Sequence, residues 1–481
     1  MKRSQLLLFV FILLTINGFR LEAQPNTFYF MKGLPQTKEL NPSRAGVKNG
    51  FYISMPLISA VDISLNTNNW SVNDLIRNGT GLQKDSMVYD LGNLISKFGT
   101  KNFLFETTSW TLIDFGWKKK NKAYSFSISE HLLIEPFVSQ DFANLVFYGN
   151  EKYMGSAYNS GNFGLSAMHY RQFAFNFSKD LNSIFTIGGT GKVLFGMAGV
   201  HTSGLNISTY MPSSGERVNL SAGGTIHMSA PVIITQNPTN DYNFNTQGDF
   251  SALKYLLNFS NPGFALDLGV TAKINKKLDL SMSLIDIGLI SWSDHVTNFT
   301  GQGSFTYQGI NLNDPSQKPP TTKLLTPLVH QLRDSIVKAF PLDLNTSKFY
   351  SLLPFKLYLG AEYRLSNKFT LGGLARVRMF NNMFHTSGTA SLNMTVRRNL
   401  SLTAAYSILE STYTNIGAGI LLRAGFFQIY GATDNLLAPF YPLAASNISI
   451  RLGVNLMFEE IDRITKRNHQ YIPTTGGRGR K

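Results

Sequence analysis

The 481-residue chain has no cysteine, which excludes a disulfide framework and any cysteine-based metal site. Charge is scarce: 15% of residues are charged, where a soluble protein usually carries about 25%. Long apolar runs are missing too. Past the N-terminal region no stretch approaches the ~18 consecutive apolar residues of a membrane helix, so no helical span is expected. The eight histidines show no HExxH-type spacing and no G-x-S-x-G occurs. Gly188-Gly189-Thr190-Gly191-Lys192 lacks the upstream Gly of a phosphate loop, and Val193 stands where that loop needs Ser or Thr. No catalytic residue, cofactor or metal ligand is therefore expected, and the chain reads as a non-enzyme. The net charge of +15 does not point to nucleic acid, because the basic residues sit mostly in tight turns, without a stripe of basic and aromatic residues.

What the chain does have is aromatic residues at 12%, 41 glycines and an N-terminus built like a secretory signal. Met1–Ala23 carries Lys2 and Arg3, the apolar run Leu6–Ile16, and Leu21-Glu22-Ala23 ahead of Gln24. An exported protein without a helical span must be held by β-structure. The clearest strand is Asn447–Phe458. Ile448, Ile450, Leu452, Val454, Leu456 and Phe458 fall on one face, and Ser449, Arg451, Gly453, Asn455 and Met457 on the other. One apolar face and one wet face, over a length that crosses a bilayer as a tilted strand, describe the wall of a transmembrane barrel. Polar Arg451, then Gly453, Leu456 and Phe458, resemble the C-terminal signal that such barrels present to the barrel assembly machinery.

Similar alternation marks Phe51–Thr67 (broken by Pro56), Leu104–Trp117, Lys122–Glu135, Phe163–Ser178, Ile184–Met197, Phe264–Ile274 and Leu278–Ile287. It continues in Phe355–Leu365, Phe369–Met379, His385–Arg397, Leu400–Ile408, Asn415–Leu422 and Phe426–Thr433. His201–Met211 and Arg217–Ala230 are weaker. With them the count is about sixteen, without them about fourteen. Short turns alternate with long loops, as when short turns lie at the periplasmic rim. Helical patterns are expected in the loops at Asn73–Arg77, Leu91–Phe98 and Asp141–Phe147. Thr326–Phe340 has a Thr N-cap, Pro327 at N1 and a stop at Pro341. The expected fold is an all-β outer-membrane antiparallel barrel of roughly 14–16 strands, with a luminal N-terminal segment and helical external loops. The expected division is a signal over 1–23, a luminal plug segment over 24–50, the barrel over 51–458 and a basic periplasmic tail over 459–481.

Several segments carry a family resemblance: Lys32-Gly33-Leu34-Pro35-Gln36, Leu40-Asn41-Pro42, Asn73-Asp74-Leu75-Ile76, Leu353–Gly360 and the final strand. Together, in that order, the chain resembles a family of bacterial outer-membrane barrels of unknown function. More distantly, Asn41-Pro42-Ser43 is similar to the Asn-Pro-Ala motif of FadL-type long-chain fatty-acid transporters, with Ser43 in place of Ala. That resemblance implies a fourteen-stranded barrel with an N-terminal plug.

The candidate sites follow. Asn41 and Pro42 would form the turn that seats the plug, since Pro fixes φ and Asn bonds nearby backbone. Lys356, Arg364, Arg376 and Arg378 face the lumen by alternation and would form an anion-attracting basic patch, unless each has a local ion-pair partner such as Glu362. Leu374 is also luminal, so Arg there should be tolerated better than Arg at lipid-facing Leu452. The expected setting is the outer membrane of a Gram-negative bacterium, with outer-membrane lipid and the barrel assembly machinery as partners and no nucleic acid. Two functions stay open: passive uptake of a small hydrophobic or amphipathic compound, or a non-transporting accessory barrel that docks partner proteins in secretion or envelope biogenesis.

Overall fold

In the computed structural model, fourteen strands close into one antiparallel barrel. The structure describes residues 26–459 except 57, 69, 81–83, 85, 150–152, 161–162, 215–216, 237–241, 247–254, 256–257, 308–338, 382, 398 and 410–411. The signal, the tail from 460 onward and nearly all of the helix expected over Thr326–Phe340 lie outside the described residues.

The wall strands are β1 (Gly50–Ser54 and Ala60–Thr67), β2 (Asn102–Lys119), β3 (Lys122–Val138), β4 (Gly164–Asp180), β5 (Phe185–Tyr210), β6 (Pro262–Lys273) and β7 (Leu278–Trp292). They continue as β8 (Phe355–Arg364), β9 (Phe369–Phe380), β10 (Met383–Arg397), β11 (Leu400–Leu409), β12 (Thr412–Ala424), β13 (Phe427–Thr433) and β14 (Asn447–Glu459). The ring closes between the ends of the chain, with Phe51 opposite Phe458 and Ile63 opposite Ile450. Closure is required because lipid supplies no hydrogen-bond partner for an open edge. Pro56 interrupts β1 without making it an edge: both halves pair with β14 and β2, and the break is absorbed between Ser54 and Ala60.

Alternation assigns the faces. Along β14, Leu452 is 54% exposed, whereas Arg451 and Asn455 are buried inside. Along β6, Phe264, Leu266 and Leu268 point out while Ala265 and Asp267 are buried. The result is an apolar outer band around a polar interior, the arrangement of an outer-membrane barrel. At one rim lie the short turns, including those at Lys120-Asn121, Ser366-Asn367 and Gly425, together with both ends of the wall. That rim is the periplasmic one.

The uncertain strands of 201–230 do not belong to the membrane wall. Residues 199–210 continue β5 past the outer rim and pair with Val218–Ser229, which pairs in turn with Val296–Tyr307. The sheet thus grows outward, beyond fourteen, without widening the barrel. Helices stand at Val72–Leu75, Leu91–Lys97 and Gln140–Tyr148. Asp90 and Ser139 cap the latter two by accepting from Asn93 N and Phe142 N, both at 3.0 Å. The first is shorter than its pattern, because Ile76–Asn78 turns into a strand paired with Met87–Tyr89. Glu459, expected to open the tail, ends β14; its carboxylate accepts from Lys48 N (2.9 Å) and Arg423 (2.9 Å).

Leu374 departs from the expected tolerance. It does face inward, but it is buried with Phe28, Tyr358 and Leu421 rather than in water. Leu452→Arg should cost the barrel about 2–4 kcal/mol in lipid. Leu374→Arg should also be costly, by expelling the residues packed on it. Equilibrium unfolding of both variants in lipid vesicles tests the pair, and a silent Leu374→Arg would contradict this packing.

Candidate functional site

Residues 26–49 run inside the barrel, and glycine, charge and aromatic residues of the wall are matched to them. The segment opens on a short helix, Asn26–Tyr29, with all four residues buried. Its Asn26 N and Thr27 N donate to the Asp434 carboxylate at 3.1 and 2.8 Å. Phe28, Tyr29, Phe30, Met31, Leu34 and Leu40 then form an apolar cluster with luminal Ile285, Tyr358, Leu374, Leu421 and Tyr430. Tyr29 stacks on Tyr358 with ring centres 5.8 Å apart. Below, the Gly33 carbonyl accepts from Gln428 (2.8 Å) and Arg423 (3.0 Å). The Gln36 and Asn455 amides exchange bonds of 2.8 and 3.1 Å.

Charges secure the segment on several sides. Lys32 and Arg44 both reach Glu362 of β8 at 2.7 Å. Lys38 pairs with Asp114 of β2. Glu39 pairs with Arg451 of β14, which also faces Asp62 of β1 at 3.5 Å and covers the Phe28 ring at 4.0 Å. Buried ions require such partners; removing one leaves the other uncompensated at a cost of about 3–5 kcal/mol. Burial alone would push the Glu39 carboxyl up, but Arg451 and Lys38 outweigh it and hold the group below its ordinary 4.5.

The Asn41-Pro42 turn sits against β5 and β6. Asn41 Oδ1 accepts from Ser43 N (3.0 Å) and Ser43 Oγ (2.7 Å), and the Pro42 carbonyl accepts from Asn176 Nδ2 (3.2 Å). Ser43 Oγ also bonds Thr271 Oγ1 at 2.8 Å, a contact that Ala could not make. The approach is close: a Cβ on Gly188 would overlap the Pro42 carbonyl, and one on Gly269 would overlap the Asn41 side chain. Glycine is needed at both positions for the backbones to meet.

The four basic residues read as a patch are only partly brought together. Lys356 stands opposite Arg378 in the β8–β9 register, and Arg376 opposite Tyr358. Lys356 pairs with Asp286 at 2.7 Å, and Arg378 lies 3.6 Å from Glu135 and covers the Phe105 ring at 3.5 Å. Arg376 lies 5.8 Å from the Tyr358 ring centre. Arg364 is separate: its side chain is 48% exposed at the periplasmic rim and donates to the Lys276 carbonyl. Carboxylates of other strands thus meet Lys356 and Arg378. Glu362 does pair with an Arg, but with Arg44 of the inner segment. Of the C-terminal motif, Leu456 and Phe458 face outward, Phe458 stacking on Phe51 (4.6 Å). Arg451 and Gly453 face the lumen.

Sequence reasoning missed the inner segment's own charges, Lys32, Lys38, Glu39 and Arg44. The available signal was their density in a chain so poor in charge. Lys38, Glu39 and Leu40 also form part of the boundary of a luminal cavity enclosing about 1180 Å³, open solvent included. Its wall holds a second ion cluster: Lys192 pairs with Asp267 (2.8 Å) and Asp286 (2.6 Å).

Residues 45–434 match the model of a family of unknown function (DUF5723). The chain belongs to this family. Members of DUF5723 share no assigned activity by that description, and no curated protein matches the chain by sequence. Solved structures of similar fold include the toluene transporter TbuX of Ralstonia pickettii, at 8% identity over 92% of this chain and 96% of that one (TM-score 0.38). A FadL homologue of Pseudomonas aeruginosa matches at 9% identity over 92% and 100% (TM-score 0.39). The translocator domain of autotransporter NalP from Neisseria meningitidis matches at 10% over 85% and 89% (TM-score 0.29). These are distant barrels, and the lumen of this DUF5723 chain has to be understood from its own residues.

Two predictions follow from the geometry. Gly188→Val with Gly269→Val should unseat the Asn41-Pro42 turn and expose residues 26–49 to added protease while the barrel stays heat-modifiable; undiminished protection would contradict the close approach. The second concerns pH. Because the Glu39 carboxyl is depressed when docked, its contribution is present above pH 4.5 and is lost as pH falls through the lower docked value. Protease access to the segment should therefore rise in acid below about pH 4.5, and Glu39→Gln should flatten that response.

Proposed function

We propose that the protein is a plugged outer-membrane channel through which a small amphipathic compound passes between the lumen and the membrane. Residues 26–49 act as the plug, seated by Asn41-Pro42 and held by the ion pairs to Asp114, Glu362 and Arg451.

The observation that carries the reading is a second cavity beside a lapse in the pairing of the wall. It encloses about 1130 Å³, open solvent included, and its boundary combines Ser166, His201 and Asn381 near the outer rim with outward-facing Ile287, Tyr350 and Leu352. Asp286 borders both cavities. The strand pairing of the wall lapses there. Pairing of β7 with β8 runs to Ile285 opposite Lys356, and pairing resumes only at Leu289 opposite Leu352 of the strand Phe349–Leu352. Between them one bond, Leu353 N to the Gly288 carbonyl at 3.0 Å, bridges the gap. Asp286 itself has φ +63°, an uncommon conformation for a residue with a side chain. It bulges into the lumen, where Lys192 and Lys356 hold it. A polar cavity beside one bordered by outward-facing apolar side chains suits a compound with a polar head and an apolar tail.

The second reading, a barrel that docks other proteins, draws on apolar side chains exposed on the outer-rim loops, with Met87 at 70%, Tyr89 at 73% and Phe440 at 73%. In both readings the outer face of β14, with Leu456 and Phe458, would be the edge offered to the assembly machinery.

Deleting residues 26–46 should raise single-channel conductance in planar bilayers while the barrel stays folded. The chain lacks cysteine, so Leu289→Cys with Leu352→Cys, directly opposed at the edge of the gap, gives a lock without a competing thiol. Its oxidised form should block uptake of an amphipathic fluorescent probe into vesicles, and reduction should restore it. Unchanged conductance together with unlocked uptake after oxidation would transfer weight to the docking reading.

A further inference from the structure

We infer that the luminal cavity receives a neutral, polyhydroxylated head group, such as the sugar of a glycoside, in preference to a carboxylate. This rests on the channel reading above and names its substrate class.

Balanced charge is the first ground. Lys38, Lys192, Lys356 and Arg451 border the cavity, and so do Glu39, Asp62, Asp267 and Asp286. All four cations already have carboxylate partners: Lys192 with Asp267 and Asp286, Lys356 with Asp286, Arg451 with Glu39 and Asp62, Lys38 with Asp114. A carboxylate entering the cavity would lose its hydration and would have to displace one of these partners, leaving a buried charge uncompensated. The cavity therefore gives an anion no net attraction.

Neutral groups are placed the other way. Thr111 of β2, Ser127 of β3 and Gln172 of β4 border the same cavity and are nearly buried, at 4, 6 and 7% exposure. They lie together, because Ser129 is opposite both Thr111 and Gln172 in the ladder and Ser127 is its neighbour on the same face. Among the described residues, no side-chain hydrogen bond engages Thr111, Ser127 or Gln172. These hydroxyl and amide groups can both donate and accept, as can the hydroxyls of a sugar. Beside them the His131 ring stacks on Tyr170 at 5.0 Å and 12°, and Ser129 Oγ bonds His131 Nε2 at 2.8 Å. That stack offers a flat, weakly polar surface next to the unengaged groups, the combination that suits a ring carrying hydroxyls on its rim and C–H bonds on its face. An attached apolar tail would extend past Asp286 toward Ile287 and Leu352.

The test uses the full chain in lipid nanodiscs with three probes built on six-carbon chains: hexyl β-glucoside, hexanoate and hexanol. Binding is measured by calorimetry and by saturation-transfer NMR, which also reports the parts of each probe that touch protein. The glucoside should bind about ten-fold more tightly than either other probe, as two or three added hydrogen bonds would give, with its ring protons receiving the transfer. Gln172→Ala with Ser127→Ala should remove that advantage while heat-modifiability shows an intact barrel. A Phe264→Leu variant on the outer face should leave it unchanged. Hexanoate binding as tightly as the glucoside, binding of none of the probes, or a glucoside advantage that survives the double variant would each overturn the inference. Failure of the channel reading would show separately, in the conductance and locked-uptake measurements, which do not depend on the head group.

Discussion

Lipid offers a peptide group nothing to hydrogen-bond to, and most of this structure follows from that constraint. It forces the fourteen strands into a ring in which the first and last are neighbours, and it removes every free edge at membrane depth. It also sorts the side chains. A period of two places Phe264, Leu266 and Leu268 against acyl chains and leaves Asp267 and Gly269 for the inside. A polar interior is thus a consequence of closure, and so is the need to fill or solvate it.

The interior uses charge where an ordinary core uses hydrocarbon. Around residues 26–49, aromatic packing and ion pairs alternate along the chain, so the segment is gripped on many strands rather than anchored at one end. Lys38 and Glu39 are adjacent in sequence yet pair with Asp114 and Arg451, on strands β2 and β14. The same two residues help bound the cavity. The ion pairs that hold the segment and the boundary of the cavity thus share side chains.

Irregularities in the wall are each compensated. The Asp286 bulge is held from within by two lysines. Strand β13 has only seven residues. The loop after it closes the shortfall: Leu436 N bonds the Ile416 carbonyl of β12, and Asn435 bonds the Asn447 carbonyl of β14. On the outer face, Glu130 and Arg171 form a charged pair, 2.6 Å apart, that hydrocarbon would not tolerate bare. Tyr255 completes the cluster by bonding His169 at 2.7 Å, and Phe259 packs on Phe173 and Phe195 alongside.

The barrel and most of its strands were legible in the sequence, because membrane insertion imposes a local rule. Alternation in 264–274 or 447–458 can be recognised from a dozen consecutive residues, and so can a short turn such as Ser366-Asn367. The helices over 91–97 and 140–148 were legible for the same reason, since caps and periodicity are local. What only the tertiary structure decided is how the polar faces meet. Glu39 lies 412 positions from Arg451, and Arg378 finds Glu135 six strands away in chain order. No local pattern announces such partners, so of the basic residues read from alternation Lys356 and Arg378 face carboxylates, Arg376 lies by the Tyr358 ring and Arg364 stands at the rim. Leu374 was read as wet for the same reason: its face was correct, but Phe28 of the inner segment and Leu421 of β12, both distant in sequence, bury it. The outward growth of β5 beyond residue 199 was equally hidden, because a strand leaving the membrane keeps its period and changes only its partner.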